Sequence, residues 1–137
     1  MFITEQHKID LLYGENAENT IKSKLENYLD CKLNKTCRNC RYDFCNENKD
    51  ILIEMKSRRC NKNNYPTTII PSDKWFYLKQ LYEKGASLYY VFNFKDKNCI
   101  YKYEGEDFNS KIINRQDQAG KSNRNHIEIP ISRIVDF

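Results

Sequence analysis

The chain has 137 residues, 39% hydrophobic and 13% aromatic, and a net charge of +4 from 23 Lys and Arg against 19 Asp and Glu. That aromatic content excludes a disordered chain, and no apolar run reaches the length of a membrane-spanning helix. The length suits a single domain, residues 1–137, around one core. The mild basic excess is compatible with a nucleic-acid partner but does not by itself indicate one.

The opening "MFITEQHKID" lacks the basic-then-apolar layout of a secretory leader. The chain is therefore expected inside the cell, in cytoplasm or nucleus, or in a viral factory if virus-encoded, with no membrane partner. Its six cysteines are then expected to be reduced.

Residues 1–13 read as a short lead. Residues 15–30, "ENAENTIKSKLENYLD", read as an amphipathic helix with Ala17, Ile21, Leu25, Tyr28 and Leu29 on one face. Glu18 falls inside that arc, and a carboxylate on a buried stripe needs a partner. Residues 31–40, "CKLNKTCRNC", form a polar connection without a period. "RYDFC" (41–45) and "DILIEMKS" (50–57) read as two strands of a hairpin around "NENK". Residues 60–68 read as a loop.

"SDKWFYLKQLYEKG" (72–85) reads as a second helix, with Ser72 as N-cap, Asp73 in the first turn and Gly85 at the C-terminal cap. "ASLYYVFNF" (86–94) is a continuous apolar run, as expected of a buried strand. "NCIYKYE" (98–104) pairs with it through "KDKN". Residues 105–125 read as a long polar loop, and "HIEIPISRIVDF" as an extended tail.

The pattern in "ILIEMKS" carries the chemistry. Strand alternation points Ile51, Ile53 and Met55 one way and Leu52, Glu54 and Lys56 the other. If the hairpin forms, Asp43 approaches Glu54. Two neighbouring carboxylates repel, and one is pushed toward protonation. A divalent cation removes that cost, and Mg²⁺ takes one or two carboxylates plus waters and a substrate phosphate. Such an ion polarises a phosphodiester and acidifies a bound water. Lys56 on the same face would stabilise developing negative charge or orient the attacking water. The plainer reading is a solvent-facing strand with a cross-strand ion pair, and for Glu18 a residue at the edge of the apolar face.

"YDF" followed by "ILIEMKS" resembles the PD-(D/E)XK, or restriction-endonuclease-like, nuclease superfamily. Its signature is an acid on one strand, then acid-x-Lys on the next. Glu18 in "GENAENTI" matches the helix Glu of many members, and "LYYVFNF" resembles the central strand that follows. The resemblance spans roughly residues 14–104 and departs where Tyr42 replaces the usual Pro. It implies an α/β fold with a mixed central sheet flanked by helices. It also implies a Mg²⁺- or Mn²⁺-dependent endonuclease acting on DNA, with RNA as a related substrate. Asp43, Glu54, the Met55 carbonyl and Glu18 would serve the metal, and Lys56 would be the catalytic lysine. Lys74 in "SDKWFYL" is the best match to an assisting residue on the next helix, set against an ordinary helix-surface lysine. The small, helix-first layout is closest to Holliday-junction resolvases, many of them dimers. Residues 86–94 and the aromatic helix face are the candidate homodimer surface.

Two further groups stand out. Cys37-x2-Cys40 is a metal-type spacing that Cys45 and Cys60, or Cys31, would complete as a structural Zn²⁺ site, although Cys45 should share the face of Asp43, away from residues 31–40. Cys99 reads as a small buried residue. Arg58, Arg59 and Lys62 follow the acid-x-Lys strand, and Lys111, Arg115, Lys121, Arg124, His126 and Arg133 lie in the tail region. Arg58, Arg59, Lys62, Lys121 and Arg124 are the candidates for phosphate contacts; the alternative is scattered charge on solvated loops, with His126 at the surface or a strand end. The competing function is a non-catalytic nucleic-acid-binding module, zinc-stapled through Cys37 and Cys40.

Overall fold

The computed structural model describes residues 5–37, 39–113 and 124–137, and of residues 6–17 the backbone alone. Contacts divide the chain into two compact units, Met1–Leu33 and Asn34–Phe137. The first unit is one helix, α1 (Glu5–Leu29). It starts ten residues before the expected boundary, because one glycine, Gly14, costs a helix only about 1 kcal/mol. Ile21 and Leu25 are buried as expected, but Tyr28 is half-exposed. Asp30 ends the helix with a positive φ of 51°, while the Cys31 N–H donates to the Glu26 carbonyl at 3.2 Å.

Among its described residues the second unit carries nine strands and one α-helix: β1 (Asn34–Lys35), β2 (Phe44–Cys45), β3 (Ile51–Ser57), β4 (Thr67–Pro71), α2 (Ser72–Glu83), β5 (Ser87–Asn93), β6 (Asn98–Lys102), β7 (Ser110–Ile113), β8 (Arg124–Pro130) and β9 (Val135–Asp136). One sheet runs β1-β2-β3-β5-β6-β9 and a second runs β4-β8-β7. The first sheet is mixed: β3 and β5 are parallel, and the other neighbours are antiparallel. This is the α/β architecture with a mixed sheet that the sequence implies.

The β2–β3 hairpin forms as read, pairing Phe44 with Ile53. Its turn is closed by Asn46, whose Oδ1 accepts from the N–H groups of Asp50 and Ile51 at 3.0 Å each. Two parallel neighbours need a crossover, supplied here by β4 and α2. The core lies where Trp75 and Leu78 of α2 meet Leu52, Leu88, Tyr90 and Phe92 of the main sheet and Ile70, Ile127 and Ile129 of the second. Trp75 stacks on Tyr90 at 5.4 Å between ring centroids.

Several expectations are corrected. Thr67 and Thr68, at the end of the expected loop 60–68, are instead the first residues of β4, since "TTII" is β-branched and finds an antiparallel partner in β8. Residues 110–113 are likewise strand, paired to β8. Ser72 is the first residue of α2, not its N-cap, which is Pro71. β5 is paired on both edges and largely buried, so it is unavailable as a dimer surface. Of the α2 aromatics, Phe76 is the exposed one.

Gly85 closes α2 as expected, at φ 110°. Its N–H donates to Tyr82 O at 2.9 Å and the Ala86 N–H to Leu81 O at 3.2 Å. A Cβ there would meet nothing within 4 Å, so the penalty of a side chain is backbone strain alone. Gly85→Ala is expected to lower unfolding free energy by about 1–2 kcal/mol, measured by urea denaturation; an unchanged midpoint would contradict the assigned cap.

Candidate active site

Antiparallel pairing of Phe44 with Ile53 carries one step further to set Asp43 opposite Glu54. Asp43 is held by its backbone on both sides. Its N–H donates to the Ile53 carbonyl at 2.8 Å, and its carbonyl accepts the Thr36 N–H at 2.9 Å. The Thr36 hydroxyl lies against the carbonyls of Tyr42 and Asp43, 3.1 Å from the latter. The Asp43 Oδ2 then accepts the Met55 N–H at 2.7 Å. Asp43 is thereby fixed at the edge of β3 just where β2 has not yet begun.

Glu54 is buried, 2% exposed, in the middle of β3. Its Oε1 meets two ammonium groups, Lys74 Nζ at 3.2 Å and Lys56 Nζ at 3.9 Å. Its Oε2 is buried with no hydrogen-bond partner. Burial, and then the charge of Asp43, push the Glu54 carboxyl up to about 7, against the opposing pull of Lys74 and Lys56. Burial also pushes the Lys56 ammonium below its ordinary value, while Glu54 pulls it back. Lys74 reaches this point because α2 starts directly after β4, so its first turn faces Glu54.

The set fits a hard divalent ion. Such ions take oxygen ligands, and magnesium needs only one or two carboxylates from the protein. Two acids, a buried Oε2 lacking a partner, and a β3 edge at Met55 supply that chemistry. By strand parity the Met55 carbonyl faces the same edge as those of Ile51 and Ile53, which accept from Asn46 and Asp43.

Four of the expected residues, Asp43, Glu54, Lys56 and Lys74, thus come together within the second unit. Glu18 lies half-buried on α1 in the first unit, and its role rests on the resemblance. Among the described residues, no three or more His, Cys, Asp or Glu side chains gather to hold a metal ion. The four-thiolate zinc site is therefore not assembled among them. Cys37 and Cys40 are exposed, Cys31 and Cys60 intermediate, and Cys45 and Cys99 buried.

A family model described as "Phage putative PDDEXK endonuclease" matches residues 13–135. The chain belongs to this family. No curated protein and no solved structure matches it. The PD-(D/E)XK match runs past the part of the chain that carries the motif, into β8 and β9. No helix among the described residues is long and apolar enough to cross a membrane.

The basic residues sort differently from the sequence reading. The Arg58 guanidinium is engaged by Thr68 Oγ1 at 3.3 Å and the Ile69 carbonyl, so it ties the end of β3 to β4. Lys62 bridges to Asp136 at 2.7 Å, and Arg124 to Asp73 at 3.3 Å. Arg133 pairs with Glu106. Arg59 and Lys111 are exposed. Lys121 and Arg115 lie outside the described residues. His126 is buried, not at the surface, with Nδ1 3.0 Å from the Arg124 carbonyl.

Two neighbours of the site escaped the sequence reading. Tyr90 pairs in register with Glu54 across β3 and β5, and its buried hydroxyl has no hydrogen-bond partner. Thr36 fixes Asp43 from a stretch with no periodic signal at all.

The carboxyl of Glu54 gives a signed prediction. Its folded value, about 7, exceeds that of the unfolded chain, so the protonated form is favoured by folding. That stability is fully present below pH about 4.5 and is lost as pH rises through 7. The displacement corresponds to on the order of 3 kcal/mol. Thermal melts in chelator are expected to show wild type weakening from pH 5 to 8 and Glu54→Gln weakening less, becoming the more stable protein above pH 7. A wild type that gains stability over that range relative to the variant would contradict the assignment.

Proposed function

We propose that this protein is a divalent-metal-dependent endonuclease that hydrolyses phosphodiester bonds in DNA. The observation that carries the reading is the pairing of Asp43 with buried Glu54, whose Oε2 has no partner, beneath two lysines. The family's description supports nuclease chemistry and a phage setting. Mg²⁺ or Mn²⁺ would be held by Asp43, Glu54 and the Met55 carbonyl; a part for Glu18 is implied by the family resemblance alone. When bound, the ion polarises the scissile phosphate and acidifies an attacking water.

The chain's own groups do the rest. Lys56 presents its ammonium beside Glu54 and, lowered by burial, orients the attacking water and meets the charge that develops on phosphorus oxygens. Lys74 neutralises Glu54 Oε1 and holds the carboxylate in one rotamer, leaving Oε2 directed away. The Thr36 and Met55 N–H groups keep Asp43 in place. Burial of Glu54 excludes water from its far side, so its charge is satisfied only by cations. A junction-resolving role is the finer reading, and it requires two such sites acting on one four-way junction.

The test is cleavage of end-labelled four-way junction, flap, duplex, single-stranded DNA and RNA with Mg²⁺, Mn²⁺ or EDTA. Wild type is expected to cut DNA with either metal and not in EDTA. Lys56→Ala is expected to lower the rate by about 10²–10³. Symmetric nicks confined to the junction would select the resolvase reading. Cutting in EDTA, or a Lys56→Ala rate within twofold of wild type, would contradict the assigned site.

A further inference from the structure

Past the end of β3 the second unit holds a cavity of about 510 Å³ that the candidate active site does not use. Its walls include Arg58, Lys62, Tyr65, Phe94, Lys111 and Glu128. The volume is in the range of sites that enclose small organic ligands. Three cations face one carboxylate, which favours an anionic guest. Lys62 is occupied by Asp136 at 2.7 Å, while Lys111 is exposed on β7 and meets no acidic partner among the described residues.

Tyr65 is the informative residue. It is 63% exposed, and among the described residues its ring packs on no other aromatic ring and no cation. The backbone around it is pinned. The Lys62 N–H donates to Asp96 Oδ1 at 2.9 Å, the Asn64 N–H to Asn61 O at 3.2 Å, and the Ile131 N–H to Pro66 O at 2.9 Å. A fixed, exposed aromatic ring that lines one cavity with an exposed ammonium is how proteins bind unpaired bases: the ring stacks and the cation meets phosphate.

Position adds the second half of the argument. Arg58 lines the cavity and stands two residues beyond Lys56, about 7 Å along the strand. Fixed by Thr68 and Ile69, it forms a rigid wall between the two places. A strand whose scissile phosphate sits at Lys56 and that runs on past Arg58 would bring its adjacent nucleotide to this opening. We infer that the cavity takes an unpaired nucleobase of the DNA strand held at the active site, stacked on Tyr65 with its phosphate at Lys111.

The inference rests on the nuclease reading for the course of the strand, and it narrows the substrate class. A base in an intact duplex must unstack and unpair to enter, which costs a few kcal/mol. Substrates with an unpaired nucleotide next to the cut, single strands and flaps, are therefore bound in preference to blunt duplex.

The test is fluorescence anisotropy of the full chain in EDTA with a labelled oligothymidine and a blunt duplex, so no catalysis is needed. Wild type is expected to prefer the single strand. Tyr65→Ala is expected to weaken single-strand binding about 5- to 20-fold with duplex binding within twofold, and Tyr65→Phe to restore it. Lys111→Glu is expected to weaken single-strand binding and flatten its salt dependence. Both positions are exposed, so circular dichroism melts should be unchanged. Single-strand binding by Tyr65→Ala equal to wild type, or an equal loss on single strand and duplex, would overturn the cavity assignment. Cleavage of the same oligonucleotide by wild type with Mg²⁺ is scored apart. Cutting with a silent Tyr65→Ala sinks the cavity alone, whereas Tyr65-dependent binding with no cutting of any DNA substrate, junction included, sinks the nuclease reading and leaves the base site standing.

Discussion

A buried carboxylate opposite a second carboxylate is the constraint around which the second unit is arranged. Glu54 sits in the middle of a strand paired on both sides, where an unpaired charge is costly, and Asp43 across the hairpin raises that cost. The chain answers on one side only. Lys74 and Lys56 approach Oε1 at 3.2 and 3.9 Å, and Oε2 is left buried without a partner. An apolar residue at this position would pack the sheet more cheaply. The arrangement makes sense if a further cation completes it.

The surrounding fold fixes the geometry of that answer. Parallel pairing of β3 with β5 forces a crossover, and the crossover places α2 so that its first turn carries Lys74 over the sheet. The same crossover adds β4, which Arg58 ties to the end of β3. Thr36 and the Met55 N–H hold Asp43 at the hairpin mouth. The acid pair, the two lysines and the neighbouring cavity are thus consequences of one topological choice, a β3–α2–β5 unit bracketed by a hairpin.

Much of this was legible in the sequence because it is local. The alternation in "ILIEMKS" set which residues share a face, and a four-residue polar turn set the hairpin, so Asp43 and Glu54 could be brought together on paper. The apolar run at 86–94 read correctly as the central strand. What escaped depends on long-range pairing. β4 and β8 are separated by more than fifty residues, so "HIEIPISRIVDF" read only as an extended tail and the start of β4 as loop, with nothing local to show that each pairs with the other. Tyr90 faces Glu54 only through parallel register, which no local pattern encodes. Arg58, Lys62 and Arg124 looked like phosphate contacts because charge in a sequence does not reveal its partner; the fold gives each of them one. The cysteine spacing near 37–40 suggested metal, but spacing alone does not bring the distant thiols together.

The most direct measurement is isothermal titration of Mn²⁺ into metal-free protein at pH 6.5, in buffers of different ionisation enthalpy. If Asp43 and Glu54 exist to hold a cation, one ion binds and displaces protons from Glu54, whose carboxyl lies near 7. Glu54→Gln, which keeps the shape and removes the charge, then loses the binding and the proton release together. Binding of equal strength in the variant, or no binding by the wild type, would contradict the claim that this pair is a metal site.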